Sequence, residues 1–193
     1  ELPAFKIPAL TSVAAAAVCL ALERVMPSQA EDIQIKWPND ILLNGRKIGG
    51  ILTEMQVSAA KVQAVILGIG LNVNLETQDF PEEIRPLASS VYLETGQVLA
   101  REQIIAFILN YLEKLYFEFL KDDLSETLAV CRSKSAVLGR KIFLIDHGGG
   151  SAGQIRGAEA LDLGPRGELL VRYEDGEEAA IISGEISLRA QQM

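Results

Sequence analysis

The feature that most constrains the fold is the dipeptide Asn44-Gly45, which lies between two apolar runs. Ile41 to Leu43 precede it, and a longer run from Lys47 to Met55 follows it. Asn-Gly in this setting is the strongest short-range signal for a β-hairpin with a two-residue type I′ turn, because both central residues adopt positive φ. The sequence therefore predicts two antiparallel strands that are joined at this point.

Hairpin pairing predicts which side chains share a face of the sheet. With Leu42 opposite Lys47, a regular ladder places Asp40 opposite Gly49, and all four lie on one face because side chains alternate. Asp40 and Lys47 are then diagonal neighbours, roughly 7–8 Å apart between their backbones and within reach of each other. An acid and an amine thus converge beside Gly49 and Gly50, where the missing side chains let a ligand approach the backbone.

Further polar residues flank this hairpin. Lys36 supplies a second cation before it, and Asn72 and Asn74 follow a strand that contains Gly68 and Gly70. Lysines neutralise anionic groups, and an aspartate can accept a proton from an attacking amine. The set suits a site for an anionic small molecule and a nucleotide phosphate. On residue types alone, turn chemistry, a β-bulge and a solvated edge lysine explain the same residues and are favoured.

The rest of the chain divides into two parts with different sequence patterns. An apolar helix comes first, and a long amphipathic helix is predicted at about 101–120 from apolar residues at helical spacing. From Leu138 onward, short β-like runs alternate with turn signals, which predicts a small barrel of about 55 residues. We therefore predict two domains, 1–136 and 137–193.

An uncharged run from Ile7 to Leu22 resembles a membrane span in composition only. Its 16 residues fall short of the roughly 20 needed to cross a bilayer, and it lacks the basic flank of a signal peptide. The run is rich in alanine, so we predict a helix, capped by Thr11 or Ser12, that packs closely against a sheet. We expect no membrane association.

Charge and cysteine content exclude several classes of function. The 193 residues carry a net charge of −8, which argues against binding to a nucleic-acid backbone. Cys19 and Cys131 are far apart, and together with the single histidine they do not have a spacing typical of zinc sites. We predict two reduced core thiols in a cytoplasmic protein.

Four sequence blocks carry a family resemblance. They are Lys36-Trp37-Pro38-Asn39-Asp40, Lys47-Ile48-Gly49-Gly50-Ile51-Leu52, Gly68-Ile69-Gly70-Leu71-Asn72-Val73-Asn74 and Gly184-Glu185-Ile186-Ser187-Leu188-Arg189. In this order they resemble the biotin protein ligase family (biotin–acetyl-CoA-carboxylase ligases). The resemblance implies an α/β (α+β) fold, with a mixed sheet and flanking helices of the class II synthetase-like type, followed by a small SH3-like β-barrel.

This resemblance implies an ATP-dependent ligase. Such enzymes condense biotin and ATP, with Mg²⁺, to biotinyl-5′-AMP and pyrophosphate. They then transfer biotin to a lysine of the biotin carboxyl carrier protein domain of acetyl-CoA carboxylase. Lys47 corresponds to the lysine that meets the biotin carboxylate and the α-phosphate, and Asp40 to the acid that accepts a proton from the acceptor lysine. Glu185 and Arg189 correspond to residues of the C-terminal domain that face the catalytic domain.

The resemblance also implies a set of substrate-binding residues. Asn72 is expected on the nucleotide side, close to the metal, and no dedicated protein metal site is implied. The residues expected to line biotin and the adenylate are Lys36, Trp37, Asn39, Lys47, Gly49, Gly50, Ile51, Leu52, Gly68, Gly70 and Asn72.

The chain departs from the family upstream of these blocks. The family's Gly-Arg-rich loop, which folds over biotin and the adenylate, has no counterpart here, so we expect the 193-residue chain alone to be impaired as an enzyme. A winged helix is not recognisable either, and we do not expect this segment to bind DNA. Two alternatives stay open: a lipoate-type acyl ligase, and a non-catalytic module that docks a partner or dimerises. A homodimer is also left open.

Overall fold

The computed structural model of the chain describes residues 3–58, 61–146, 154–182 and 184–188. Helices and two sheets alternate within these ranges, which confirms the predicted α+β class. The helices are Ala9–Val25 (α1), Val91–Thr95 (α2), Arg101–Phe119 (α3) and Ser125–Ser133 (α4). The strands are Ile33–Lys36 (β1), Asp40–Leu43 (β2), Arg46–Ser58 (β3), Lys61–Leu71 (β4), Lys141–Asp146 (β5), Gln154–Leu163 (β6), Leu169–Tyr173 (β7), Glu178–Ile181 (β8) and Glu185–Ser187 (β9).

The first sheet is a meander in the order β1-β2-β3-β4, and its neighbouring strands pair antiparallel. The prediction of a mixed sheet needs correction in this respect. Parallel pairing in the described part of the chain is confined to two isolated bridges, Ile35 with Ser135 and Lys47 with Ala88. Antiparallel order follows from the short connections, because a tight turn can join only antiparallel neighbours.

The predicted hairpin turn is confirmed. Asn44 and Gly45 have φ angles of 52° and 75°, the positive values that a type I′ turn requires. Leu43 pairs with Arg46 and Leu42 with Lys47, as predicted.

The register beyond this turn is not the one predicted. A β-bulge at Ile48 shifts the ladder, so that Asp40 pairs with Gly50 and not with Gly49. Ile48 and Ile51 explain the bulge. They are three residues apart, and a regular strand would place them on opposite faces, whereas both are buried here, at 0% and 2% exposure.

Helix α1 packs against the first sheet, α3 and α4. Residues 14–17 are four consecutive alanines that are fully buried, so the helix backbone approaches its neighbours closely on several sides. The helix begins at Ala9, after Pro8, earlier than the predicted cap; Thr11 instead shares a hydrogen bond between its Oγ1 and that of Thr53, at 2.9 Å. By length and composition alone, Ala4–Val25 could cross a membrane, but 67% of its most apolar stretch is buried in the fold.

The second sheet has the strand order β8-β7-β6-β5-β9, and its strands also pair antiparallel. This arrangement supports a small C-terminal β domain. The boundary near Ala136 stays a prediction, since one contiguous cluster of buried apolar residues includes members of both sheets. Arg132, at the end of α4, links that helix to β6 of the second sheet. It donates to the Asp162 carboxylate at 2.7 Å and to the Leu163 carbonyl at 2.6 Å.

Candidate functional site

One carboxylate lies between two lysines at the edge of the first sheet. Lys47 Nζ is 2.5 Å from Asp40 Oδ1, and Lys36 Nζ is 3.6 Å from Asp40 Oδ2. The Asp40 side chain is 16% exposed, whereas those of Lys36 and Lys47 are 26% and 48% exposed. The predicted convergence of acid and amine is present, and the group carries an excess positive charge that solvent can reach.

The bulge at Ile48 places Gly50, and not Gly49, beside the Lys36, Asp40 and Lys47 side chains. A Cβ on Gly50 would lie 3.5 Å from Lys47 Cε and 3.6 Å from Lys47 Nζ, so Gly50 opens the space beside the lysine. Gly49 was predicted there, but it faces the other way. A Cβ on Gly49 would come within 2.6 Å of the Gly70 carbonyl oxygen, closer than real side chains approach, so Gly49 serves the close spacing of β3 and β4.

An open cleft continues from Gly50 across the sheet. Its volume is about 430 Å³, and it is lined by Asn39, Gly50, Ile51, Leu52, Gly68, Ile69 and Gly70. A Cβ on Gly68 or Gly70 would make only ordinary contacts, so both positions are open surface. Leu52 is 60% exposed, whereas the Ile51 side chain points into the core and contributes to the cleft through its backbone. The cleft thus combines bare backbone, one apolar side chain and an adjacent cationic group.

Two residues of the Lys36–Asp40 block are occupied in holding the fold. The Asn39 side-chain amide donates to the Ile51 carbonyl at 2.9 Å, and the Ile51 amide donates to the Asn39 carbonyl at 2.9 Å. Trp37 is buried, and its indole nitrogen donates to the Gly167 carbonyl. These bonds fix the loop before β2, and with it the start of the strand that carries Asp40.

The asparagines after β4 also bond to the protein. Asn72 Nδ2 donates to the Ser89 carbonyl at 3.0 Å. The Asn74 side chain donates to the Leu99 carbonyl at 2.8 Å and accepts from the Leu99 amide at 3.0 Å. The predicted nucleotide role of Asn72 therefore stays a prediction. In the described part of the chain, His, Cys, Asp and Glu side chains form no group of three or more that could hold a metal ion.

The structure describes one of the two predicted C-terminal residues. Glu185 is in β9, opposite Ile145 of β5, and Arg189 lies outside the described residues. Sequence reasoning also missed Arg166, which lines a second cavity of about 460 Å³ with Trp37 and Asn39. The Gly-Pro-Arg-Gly sequence at 164–167 is typical of a turn, but it does not show that the turn reaches the first sheet.

A larger groove lies away from the lysines. It has a volume of about 800 Å³ and lies between β4 and α3, lined mainly by apolar residues such as Leu109 and Phe117. Glu113 is the sole charged residue in the lining of this groove as described. Because charged groups do not converge there, we place the candidate site at the smaller cleft.

Comparisons with known proteins first indicate a broad class. Residues 1–72 match the model described as "Biotin/lipoate A/B protein ligase family". The bifunctional ligase/repressor BirA of Bacillus spizizenii is 35% identical over 176 residues, covering 91% of this chain and 52% of that protein. The biotin–[acetyl-CoA-carboxylase] ligase of Mycobacterium tuberculosis is 33% identical over 139 residues, 68% of this chain and 48% of that protein.

Solved structures narrow this class. The apo structure of biotin protein ligase from Aquifex aeolicus has a TM-score of 0.76 and 30% identity, covering 95% of this chain and 76% of that chain. The same protein in complex with biotin and ATP has a TM-score of 0.73 and 28% identity, covering 98% and 73%. The chain belongs to the biotin protein ligase family. It spans about half the length of the first two relatives named above.

Proposed function

We propose that the protein containing this chain activates biotin with ATP and transfers it to a lysine of a carrier protein. In the first step a biotin carboxylate oxygen attacks the α-phosphorus of ATP, the bond from that phosphorus to the bridging oxygen breaks, and pyrophosphate leaves. In the second step the acceptor amine attacks the acyl carbon of biotinyl-5′-AMP, AMP leaves, and the amine loses a proton. The Asp40–Lys47 pair beside the glycine-lined cleft is the observation that carries this proposal.

Charge complementarity supports the first step. Biotin carboxylate and the α-phosphate are both anionic, and they repel each other as they approach. Lys47 and Lys36 lie within reach of one point at the mouth of the cleft and supply two positive charges against this repulsion. The bare backbone at Gly50, Gly68 and Gly70 leaves room for the substrate, and Leu52 offers an apolar surface to its ring.

The second step needs a proton acceptor near the acyl group. The Asp40 carboxylate is the acid beside the cleft, and it already forms ion pairs with both ammonium groups. When the lysines turn toward the substrate anions, its oxygens become free to take the proton of the acceptor amine.

The acceptor and the compartment belong to the same proposal. Relatives named biotin–[acetyl-CoA-carboxylase] ligase support a biotin carboxyl carrier domain as acceptor. A cytoplasmic location is proposed together with that partner. Mg²⁺ is proposed as an ion that arrives with the ATP phosphates. The described side chains do not offer a set of ligands for it, so no step above depends on the ion.

The test distinguishes a biotin ligase from a lipoate ligase, and an active enzyme from a module that only binds. Calorimetry with ATP present should show binding of biotin and none of lipoate, and pyrophosphate release should require biotin. Both are measured on the 193-residue chain and on a version lengthened upstream. Lys47→Ala should slow release by about 10²–10³-fold, whereas Lys114→Ala should not, although Lys114 also pairs with a carboxylate, Glu126, at 2.6 Å. Tight binding of lipoate without biotin would overturn the proposal.

A further inference from the structure

The backbone of Lys47 is held by a segment far away in sequence. Its amide donates to the Leu87 carbonyl at 3.2 Å, and its carbonyl accepts from the Ser89 amide at 2.7 Å. Strand β4 ends at Leu71, opposite Gly49, so residues 87–89 take the place beside Lys47 that a longer β4 would fill. We refer to residues 87–89 as the bracket. The bracket thus fixes the peptide groups on both sides of the Lys47 side chain, next to the bulge at Ile48.

Arg46 ties the bracket to β3 from the other face of the hairpin. Its Nη2 donates to the Arg85 carbonyl at 2.8 Å and to the Ala88 carbonyl at 2.9 Å. Its Nη1 lies 3.4 Å from Glu94 Oε1, and the same carboxylate oxygen accepts from the Ser89 hydroxyl at 2.5 Å. Ser89 is fully buried and the Glu94 side chain is 10% exposed, whereas the Arg46 side chain is 43% exposed, so the network runs from the surface into the fold.

We propose that Arg46 is a positioning residue for the reaction, acting on Lys47 through the bracket. Successive side chains of a strand point to opposite faces, so Arg46 faces away from the cleft while Lys47 faces Asp40 and Gly50. Arg46 holds the bracket, the bracket holds the Lys47 backbone, and the Lys47 amine is thereby placed at the mouth of the cleft. This inference rests on the proposed function, because it names the residue that positions its principal cation.

The bonding pattern requires an arginine. A planar guanidinium can donate to two carbonyls and meet a carboxylate at the same time, whereas a lysine offers one compact ammonium group. Arg46→Lys keeps the charge but cannot span the Arg85, Ala88 and Glu94 acceptors together. We therefore expect Arg46→Lys to behave like Arg46→Ala, which a purely electrostatic role of Arg46 would not produce.

Two measurements on the folded chain test the bracket without relying on activity. Hydrogen exchange followed by NMR should accelerate about tenfold at the Lys47 and Ser89 amides in Arg46→Ala and Arg46→Lys, because local opening becomes easier. Competitive acetylation read by mass spectrometry should show faster labelling of Lys47 relative to Lys114 as the amine leaves Asp40. Arg132→Ala is the control, since Arg132 has similar exposure, 41% against 43%, and also binds a carboxylate and a carbonyl.

Kinetics then test the consequence for catalysis. In the active enzyme, Arg46→Ala and Arg46→Lys should lower kcat for pyrophosphate release about tenfold with little change of KM, because misplaced groups lose transition-state contacts. Arg132→Ala should leave kcat unchanged. Unaltered exchange and labelling in both Arg46 variants, or wild-type kcat in Arg46→Lys, would overturn the inference. Absence of pyrophosphate release from the wild-type protein, with the expected exchange and labelling changes, would overturn the proposed function and support the bracket.

Discussion

The indole nitrogen of Trp37 donates a hydrogen bond to the carbonyl oxygen of Gly167 over 2.9 Å. Trp37 lies between β1, which ends at Lys36, and β2, which begins at Asp40, and Gly167 lies in the turn before β7 of the second sheet. The turn packs tightly against helix α1. Gly167 has a φ of +83°, and a Cβ there would come within 2.7 Å of Ser12 Oγ. The loop that carries Asn39 and leads to Asp40 is therefore braced by the C-terminal sheet.

Replacing this tryptophan by phenylalanine should destabilise the fold. Trp37→Phe keeps an aromatic ring but removes the N–H donor, so the Gly167 carbonyl loses its partner in a buried place. Leaving a buried acceptor unpaired costs about 1–3 kcal/mol. Urea unfolding should show this decrease in the free energy of unfolding. An unchanged transition midpoint would mean that the hydrogen bond does not join the two sheets in solution.

The two adjacent glycines should respond differently to the same substitution. Gly49→Ala places a methyl group against the Gly70 carbonyl, so overpacking should lower the free energy of unfolding by about 1–3 kcal/mol. Gly50→Ala makes ordinary contacts with the flexible end of Lys47 and with the Asn39 carbonyl oxygen at 3.8 Å, and it should leave stability nearly unchanged. It fills space at the cleft, however, and we expect biotin affinity to fall roughly tenfold. Thermal unfolding and calorimetry provide the two readouts, and each variant serves as the other's control.

The two steps of the proposed reaction should separate between Asp40 and Lys47. In an active version, Lys47→Ala should slow adenylation by about 10²–10³-fold, because charge neutralisation is lost as the phosphorus is attacked. Asp40→Ala should slow transfer from isolated biotinyl-5′-AMP by at least about 10²-fold, the usual contribution of a general base, and affect adenylation less. Pyrophosphate release and acceptor labelling measure the steps separately. Equal and small effects on both would contradict these roles.

The Arg132–Asp162 contact should make stability depend on pH. The hydrogen bond from Arg132 holds the pKa of Asp162 below its ordinary value of 3.8. A lowered pKa in the folded state stabilises the fold above the ordinary value, and this contribution is lost as pH falls through the folded-state pKa. Because Asp162 is half exposed, the contribution should be below about 1 kcal/mol. Asp162→Asn should therefore be less stable than wild type near pH 7 and equal to it at low pH in urea titrations.

The two cysteines should be inert in the folded protein. Cys19 and Cys131 are buried and not in a disulfide, as predicted. Burial raises the pKa of Cys131 to about 12 and also raises that of Cys19, so neither forms a reactive thiolate at neutral pH. Mass spectrometry after iodoacetamide treatment at pH 8 should find no adduct on native protein and two after denaturation. Rapid alkylation of native protein would show that helix α1 or α4 opens readily.

The hairpin could be predicted because its cause is local. Asn44 and Gly45 accept positive φ angles, and that property belongs to the dipeptide itself. The bulge was missed although the sequence contains its cause, since Ile48 and Ile51 cannot both reach the core from a regular strand. A search for apolar residues at odd spacing within β3 would have found it.

The contacts that complete the site could not be predicted in this way. The bracket at 87–89 and the turn at Gly167 lie about 40 and 130 residues from the groups they hold. Leu87 and Ala88 bind Lys47 and Arg46 through their backbone carbonyls, so their side chains carry no pattern that marks the partner. Asn72 shows the converse problem, since an amide that suggested a nucleotide contact donates to Ser89 within the fold.

The bulge at Ile48 also determines where β3 tolerates changes in length. Residues added or removed near its far end, beyond Thr53, leave the positions before them in place. A single deletion at Ile48 would remove the bulge and leave a regular ladder, with Ile41 opposite Gly49 and Asp40 opposite Gly50 as in the intact strand. Ile51 would then still face the core, and Lys47 and Gly50 would still share the cleft face. The bulge is thus a point at which β3 can lose one residue without exchanging its two faces, at the cost of the buried Ile48 side chain.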